Sequence, residues 1–194
     1  MVYNTNIGGD YMIDEAIIFA TKAHSGKNRK GSSLPYILHP LEAGCIAASM
    51  TSDEEVIAAA ILHDTIEDTD TTEEDIKKNF SERVAHIVVN ESEDKMTDLP
   101  KEESWVIRKQ ATIDHLNNCK DIDIKIVAMS DKLSNMRATH REFMKYGKDF
   151  WNRFNVKDSK LQRWYYESFL DTCKELKDYD AYKEYKWLIE ETFK

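Results

Sequence analysis

The chain has 194 residues, of which 41% are hydrophobic and 32% charged, with only six glycines and three prolines, so its composition excludes a disordered or loop-rich all-β protein. This length suits one domain with a hydrophobic core. The formal net charge of −9 excludes a surface that binds DNA, RNA or anionic membrane over a broad face, so a phosphate ligand needs a local basic patch.

The first predicted elements are two helices joined by a basic loop. Apolar residues recur at helical spacing from Met12 to His24, which predicts an amphipathic helix. Residues 25–35 include two glycines and three serines without a helical period, so they predict a loop. This loop carries three basic residues, Lys27, Arg29 and Lys30. Pro40 suits the first turn of a second helix that runs through Ala48.

The third predicted helix is the buried one. Ser52 and Glu55 resemble a capping box, and residues 56–62 are apolar on almost every side. Thr71 and Glu74 give a second capping signal, which predicts a short helix that ends near residue 80.

The second half of the chain also reads as helical. Residues 91–103 are polar and contain a proline, so they predict a loop. Residues 122–126 alternate like a strand, but the continuation to Arg137 favours a helix. One further helix is predicted to begin at Ser81. Four others are predicted over 105–116, 122–136, 161–169 and 182–193. The prediction is a single all-α domain over 1–194, with its motifs in 12–140 and C-terminal helices in 159–193.

The cysteines and the N-terminus bear on location. The three cysteines, Cys45, Cys119 and Cys173, are widely spaced, which suits free thiols in a reducing compartment. The first residues lack the basic and apolar pattern of a leader peptide, and no apolar stretch reaches the length of a membrane span. The expectation is a cytoplasmic protein.

Two histidines and two aspartates form a candidate metal site. His63 and Asp64 follow the apolar run, where an imidazole and a carboxylate are costly to bury unless each has a partner, and a cation would serve both. His39 ends the basic loop, and Asp131 interrupts another apolar segment. Such a mixed nitrogen and oxygen set suits manganese, iron or another borderline cation better than calcium. The alternative is that His39 caps a helix and Asp131 pairs with a core lysine or arginine.

Several segments together resemble a known enzyme family. They are AH at 23–24, RKG at 29–31, PYILHP at 35–40, AAAILHDTIEDT at 58–69 and SDKLSNMR at 130–137. In this order they resemble the hydrolase motifs of the HD superfamily, as found in RelA/SpoT-type enzymes and their small single-domain relatives. The resemblance covers about 12 to 140 and implies a helical HD-domain bundle.

The resemblance implies a metal centre with an acid pair beside it. It implies one manganese ion and four ligands, His39, His63, Asp64 and Asp131. It also makes Glu67 and Asp68 the catalytic carboxylates. On a helix these acids stand four residues after His63 and Asp64, one turn away, so water at the metal would lie within reach of both. A solvated acidic helix end is the alternative for the acid pair.

The resemblance also implies contacts with a nucleotide. Arg29 and Lys30 resemble a pair that contacts the purine and its phosphates, and Asn135 resembles a nucleotide-contacting asparagine. Lys95 is a candidate phosphate contact, although 90–95 reads NESEDK where the family often has a Val-Thr-containing stretch. Two further candidates for the distal phosphates or the base are Lys160 and Tyr165. Helix surface and core packing respectively are equally good alternatives for these two.

The implied reaction is hydrolysis of an alarmone. The enzyme would remove the 3′-diphosphate of guanosine tetra- or pentaphosphate (ppGpp or pppGpp), leaving GDP or GTP and pyrophosphate, and the chain is too short to add a synthetase domain. A first alternative is another nucleotide, such as NADPH at its 2′-phosphate. A second is a non-catalytic nucleotide-sensing module, against which the presence of Glu67 and Asp68 argues. No DNA, RNA or membrane partner is expected, and a homo-oligomer stays open.

Overall fold

The computed structural model describes residues 11–29, 32–92 and 100–194, without the side chains of 101–103. Within these ranges the regular elements are helices, apart from an isolated bridge between Asn28 and Pro35, which confirms the all-α prediction. The helices are α1 (Met12–Ala23), α2 (Leu38–Ala48), α3 (Glu54–Leu62), α4 (Thr65–Asp68), α5 (Glu73–Asn79), α6 (Glu82–Glu91), α7 (Lys101–Asn118), α8 (Ile122–Tyr146), α9 (Ser159–Thr172) and α10 (Asp180–Thr192), with 3-10 turns at Gly147–Arg153 and Lys174–Leu176. Across the described residues, no helix combines the length and the apolar character needed to cross a membrane.

The predicted start of α3 is wrong by one residue. Asp53, and not Ser52, is the N-cap, and its carboxylate accepts the backbone N–H of Glu55 at 3.0 Å. A carboxylate at this position satisfies an otherwise unpaired N–H and also interacts favourably with the positive end of the helix dipole.

The predicted cap of α5 is likewise displaced by one residue. Thr72 and Asp75 form the capping box, rather than Thr71 and Glu74. The Thr71 hydroxyl instead accepts a hydrogen bond from the hydroxyl of Thr69 at 2.8 Å. Because Thr71 is held in this local turn, the following threonine is the one placed to cap the helix. The cap predicted at the next helix is confirmed, since Ser81 accepts the N–H of Val84 at the start of α6.

Two helices are longer than predicted, and the candidate ligand His39 lies in a helix where a loop was predicted. Helix α7 begins at Lys101, within the stretch predicted as a loop, and α8 continues to Tyr146. Helix α8 is capped by Gly147, whose φ of 59° is a conformation that glycine adopts without strain. His39 does not end the basic loop, because it lies in the first turn of α2.

Helix α3 is the centre of the fold. All its residues from Val56 to Leu62 are buried, and α1, α2, α6 and α8 pack around it. Helix α8 also contacts α2, α6 and α10, so the C-terminal helix joins the same core. The residues that follow Leu62 therefore emerge from the most buried element of the chain, between α2 and α8.

A glycine allows α2 to approach α3 closely. A Cβ atom built on Gly44 would lie 2.5 Å from Cγ1 of Ile61, which is too short for any real contact. We expect Gly44→Ala to lower the free energy of unfolding, because overpacking of about 1–3 kcal/mol outweighs the ~1 kcal/mol that alanine adds to helix propensity. Urea unfolding measures the change. Exposed Cys45→Ala is the control on the same helix, and an unchanged or more stable Gly44→Ala protein would contradict the close approach.

Candidate metal centre

Three helical segments bring the four candidate ligands together. His39 comes from the first turn of α2, His63 and Asp64 from the turn that follows α3, and Asp131 from the middle of α8. Both imidazoles and the Asp131 side chain are almost fully buried. The donor atoms of His39, His63 and Asp131 all lie within 4.8 Å of one another, and Asp64 approaches both imidazoles from a partly exposed position.

The donor atoms of these four residues are close neighbours. The Nε2 atoms of His39 and His63 lie 3.2 Å apart. Asp64 Oδ2 is 3.4 Å from the first of them and 3.0 Å from the second. Asp131 Oδ1 is 3.1 Å from the first and 3.5 Å from the second. The other oxygen of Asp131 accepts from Lys132, so the lysine pairing considered as an alternative accompanies the cluster and does not replace it.

The hydrogen bonds of the two imidazoles show that the cluster fits a cation. Nδ1 of His63 lies 2.8 Å from the carbonyl oxygen of Ala60, which can only accept, so the proton is on Nδ1. Nδ1 of His39 lies 2.8 Å from Ser134 Oγ, which itself donates to Glu42. Both Nε2 atoms therefore face the two carboxylates, where each can carry a proton or bind a cation. Two imidazoles and two carboxylates packed this closely need a positive charge between them, and this donor set suits a divalent cation.

The pKa shifts show the same need for positive charge, which either a proton on Nε2 of His63 or a cation can meet. Burial acts to lower the pKa of His63, but the charge of Asp64 and hydrogen bonds to both aspartates outweigh it and raise the pKa well above its usual value. Burial acts to raise the pKa of Asp64, yet His63 and His39 hold it well below its usual range. Burial also opposes ionisation of Asp131, whose pKa is kept well below its usual range by Lys132 and the histidines. Both carboxylates are therefore charged at neutral pH, and they attract a cation.

The two candidate catalytic acids do not share a continuous helix with the ligands. Helix α3 ends at Leu62, His63 and Asp64 form a turn, and Glu67 and Asp68 belong to the short α4. The one-turn relation survives this break, because the N–H of Asp68 donates to the carbonyl of Asp64 at 2.9 Å. The predicted single helix is wrong, but the acid pair still follows the ligands by one turn.

Tyr36 is a site residue that the sequence did not single out. Its hydroxyl donates to Oδ2 of Asp64 at 2.6 Å and lies 3.2 Å from Oδ2 of Asp68, so it links a ligand to an acid. Burial, together with the charges of the aspartates, raises the pKa of Tyr36, which keeps the hydroxyl protonated as a donor. Its ring packs on the buried ring of His24 at 4.8 Å between centroids. The only sequence signal was its position inside the motif at 35–40.

A cleft of about 290 Å³ opens beside the ligands. Asp64, Asp131 and Glu67 lie on its metal side. Burial raises the pKa of Glu91, also in its wall, to about 7. The basic residues of the wall are Arg108, Lys109, His115 and Lys132. The sequence predicted helices here but could not show that α7 and α8 turn these side chains toward one space.

The predicted nucleotide contacts divide into those near the centre and those elsewhere. Arg29 Nη2 donates to Oδ1 of Asn135 at 2.8 Å, and Asn135 Nδ2 is 2.5 Å from Oδ1 of Asp131. Tyr165 is buried in the cleft wall, where the Lys109 ammonium lies 4.9 Å from the centroid of its ring.

One predicted contact lies away from the centre, and two others fall outside the described residues. Lys160 is exposed in the first turn of α9 and is not part of the cleft wall as the described residues form it. Lys30 and Lys95 lie outside the described residues.

The chain is similar in sequence to one protein family and to several named proteins. The HD domain family matches residues 16–154. A Danio rerio protein named guanosine-3′,5′-bis(diphosphate) 3′-pyrophosphohydrolase MESH1 is 37% identical over 139 residues, which are 70% of this chain and 73% of that protein. An Aquifex aeolicus protein named guanosine-3′,5′-bis(diphosphate) 3′-pyrophosphohydrolase is 38% identical over 126 residues, which are 65% of this chain and 17% of that protein.

Two solved structures share the fold. One is of a metazoan SpoT orthologue described as hydrolysing ppGpp, with a TM-score of 0.72, 24% identity and coverage of 96% of each chain. The other is a crystal structure of a Listeria monocytogenes protein, with a TM-score of 0.69 and 29% identity, covering 84% of this chain and all (100%) of that one.

Proposed function

Since the chain belongs to the HD-domain family, we propose that it is a metal-dependent hydrolase that removes the 3′-diphosphate of ppGpp or pppGpp, leaving GDP or GTP and pyrophosphate. The observation that carries the proposal is the convergence of two imidazole nitrogens and two carboxylates on one buried point beside an acid pair. The names of the Danio rerio and Aquifex aeolicus relatives support this substrate and this bond.

The proposed metal ligands are the four converging residues, His39, His63, Asp64 and Asp131, and the proposed ion is manganese. When bound, such an ion polarises a phosphoryl oxygen and lowers the pKa of a coordinated water. Mixed imidazole and carboxylate ligands suit manganese among the divalent metals that cells supply.

The proposed proton acceptors are Glu67 and Asp68. A carboxylate that removes a proton from the attacking water must lie within hydrogen-bond reach of that water, and the acid pair follows the ligands by one turn. Close carboxylates titrate as a pair, so the proton is assigned to the pair and not to one member. Tyr36 orients Asp68 by sharing its hydroxyl between that carboxylate and Asp64.

The proposed nucleotide contacts include two residues beside this centre, Arg29 and Asn135. Arg29 is placed by Asn135, and its planar guanidinium can stack on a purine as well as pair with phosphate. Lys30 and Lys95 remain proposed phosphate contacts. Of the two distal candidates, the position of Tyr165 in the cleft wall supports a contact with substrate, whereas that of Lys160 favours helix surface.

The basic part of the cleft wall gives a phosphate chain a place to lie. Arg108 and Lys109 project from α7 into the same cleft as Asp64 and Asp131. In a chain of net charge −9, this local concentration of cationic side chains is the basic patch that a polyphosphate requires.

Purified protein incubated with ppGpp and Mn²⁺ should release pyrophosphate and GDP in equal amounts. Chelation should stop the release, and added Mn²⁺ should restore it, because the ion supplies the charge that the phosphoryl oxygens need. A panel that includes pppGpp and NADPH, ranked by kcat/KM, separates this substrate from the 2′-phosphatase alternative. No pyrophosphate from micromolar enzyme with metal confirmed bound would reject the substrate.

A further inference from the structure

A row of hydrogen bonds runs from the metal centre to the C-terminal helix. Nδ1 of His39 lies 2.8 Å from Oγ of Ser134, and that hydroxyl donates to Oε2 of Glu42 at 2.7 Å. Oε1 of Glu42 accepts from Nη1 of Arg137 at 3.2 Å. Arg137 also donates two hydrogen bonds to Glu184 of α10, from Nε to Oε1 at 2.7 Å and from Nη2 to Oε2 at 2.6 Å. All of these bonds join one side chain to another.

The charged groups in this row, the guanidinium of Arg137 and the carboxylate of Glu42, fix which atom donates in each hydrogen bond. A guanidinium only donates and a carboxylate only accepts, so Glu42 can offer Ser134 nothing but an acceptor. The Ser134 proton therefore goes to Glu42, and its oxygen is left to accept the Nδ1 proton of His39. With that proton on Nδ1, the Nε2 atom of His39 has a lone pair for a cation.

We propose that Ser134 and Glu42 are positioning residues that hold His39 in the tautomer that can bind the metal, and that Arg137 and Glu184 hold Glu42 in place. The inference rests on the proposed metal centre and not on the identity of the substrate. It concerns how tightly the ion is held, because a ligand imidazole is oriented and made more basic by what its other nitrogen donates to.

The two ligand histidines differ in the group that accepts the Nδ1 proton. His63 donates to the backbone carbonyl of Ala60, an acceptor that any sequence would provide. His39 depends on two side chains, so its tautomer can be changed by substitution. Ser134 is only 1% exposed, which means that water cannot readily replace the lost hydroxyl.

The test measures Mn²⁺ affinity from the paramagnetic resonance signal of the free ion, without any nucleotide. We expect Ser134→Ala to weaken Mn²⁺ binding by about 10- to 100-fold, because His39 loses its acceptor. We expect Glu42→Gln to have a similar effect even though its shape is conserved. Arg137 will take the amide oxygen, so the amide NH₂ group will face Ser134 and the serine proton will lose its acceptor.

The controls are a serine and a glutamate outside the row. Ser49 directly follows α2 and donates to the carbonyl of Ile46, and Glu167 pairs with Arg163 on the surface of α9. Ser49→Ala and Glu167→Gln should leave Mn²⁺ affinity unchanged. Circular dichroism establishes that each variant is folded, and Glu42, whose side chain is 30% exposed, tolerates an amide even if the buried Ser134→Ala protein does not fold.

A second readout reports the tautomer itself. In protein loaded with diamagnetic Zn²⁺ and labelled with ¹⁵N-histidine, the Nδ1 proton of His39 should give a hydrogen-bonded imino resonance that is lost or shifted in both variants. A purely structural role for the row would not move this signal.

Unchanged Mn²⁺ affinity in folded Glu42→Gln, or an unaltered His39 resonance in either variant, would overturn the proposal. A wild-type protein that fails to bind Mn²⁺ would overturn it together with the metal centre. A protein that binds Mn²⁺ as described but leaves ppGpp intact would reject only the substrate.

Discussion

Asp131→Asn should reduce kcat/KM for ppGpp by roughly 10³-fold or more, because losing several kcal/mol of charge stabilisation costs a factor of ten for each 1.36 kcal/mol. The side chain keeps its shape but loses its charge. In the wild-type protein Oδ1 accepts from Asn135 and Oδ2 accepts from Lys132. The amide of the variant must turn its NH₂ group toward one of these two donors. We therefore expect both weaker Mn²⁺ binding and slower hydrolysis from this one change.

The matched control for this variant is Asp123→Asn. Asp123 lies in the first turn of the same helix, α8, eight residues before Asp131, and pairs with Arg83 together with two other carboxylates. The control should retain full Mn²⁺ affinity and full kcat/KM. Equal activity of Asp131→Asn and wild type at limiting Mn²⁺ would mean that Asp131 serves Lys132 and not the metal.

Replacing both Glu67 and Asp68 with alanine should lower kcat by about 10²- to 10⁴-fold, the usual contribution of a positioned general base. Mn²⁺ and nucleotide should still bind, since neither acid is among the converging ligand atoms. Each single variant should cost nearly as much as the pair, because residues that act as a unit have non-additive effects. Single-turnover pyrophosphate release, with Mn²⁺ and ppGpp affinities measured separately, distinguishes the chemical step from binding.

Asp70→Ala is the control for the acid pair. Asp70 continues the same acidic run but is exposed beyond the end of α4, so its loss should leave kcat unaltered. Full turnover by the double variant would show that another group accepts the proton. A wild-type protein that binds Mn²⁺ and ppGpp without turnover would instead favour the nucleotide-sensing module.

The helices could be predicted because their signals are local. Apolar spacing and N-cap residues act over a few positions, so α3 and the start of α8 were expected close to where they lie, and the misplaced caps were wrong by a single residue. The choice of ligand candidates was also open to sequence reasoning. An imidazole or a carboxylate inside an apolar run needs a partner, and His63 and Asp131 stand in such runs.

The amino-acid pattern alone therefore predicted an all-helical chain, four candidate ligands and the acids that follow two of them. The partners of these side chains came only from the packing of the helices. The His39–Ser134 contact joins residues 95 positions apart, and that between Arg29 and Asn135 joins residues 106 positions apart. No local spacing encodes such pairs, because they depend on how α2 and the basic loop pack against α8. The hydroxyl of Tyr36 and the basic wall of α7 became recognisable only once packing had fixed which faces meet.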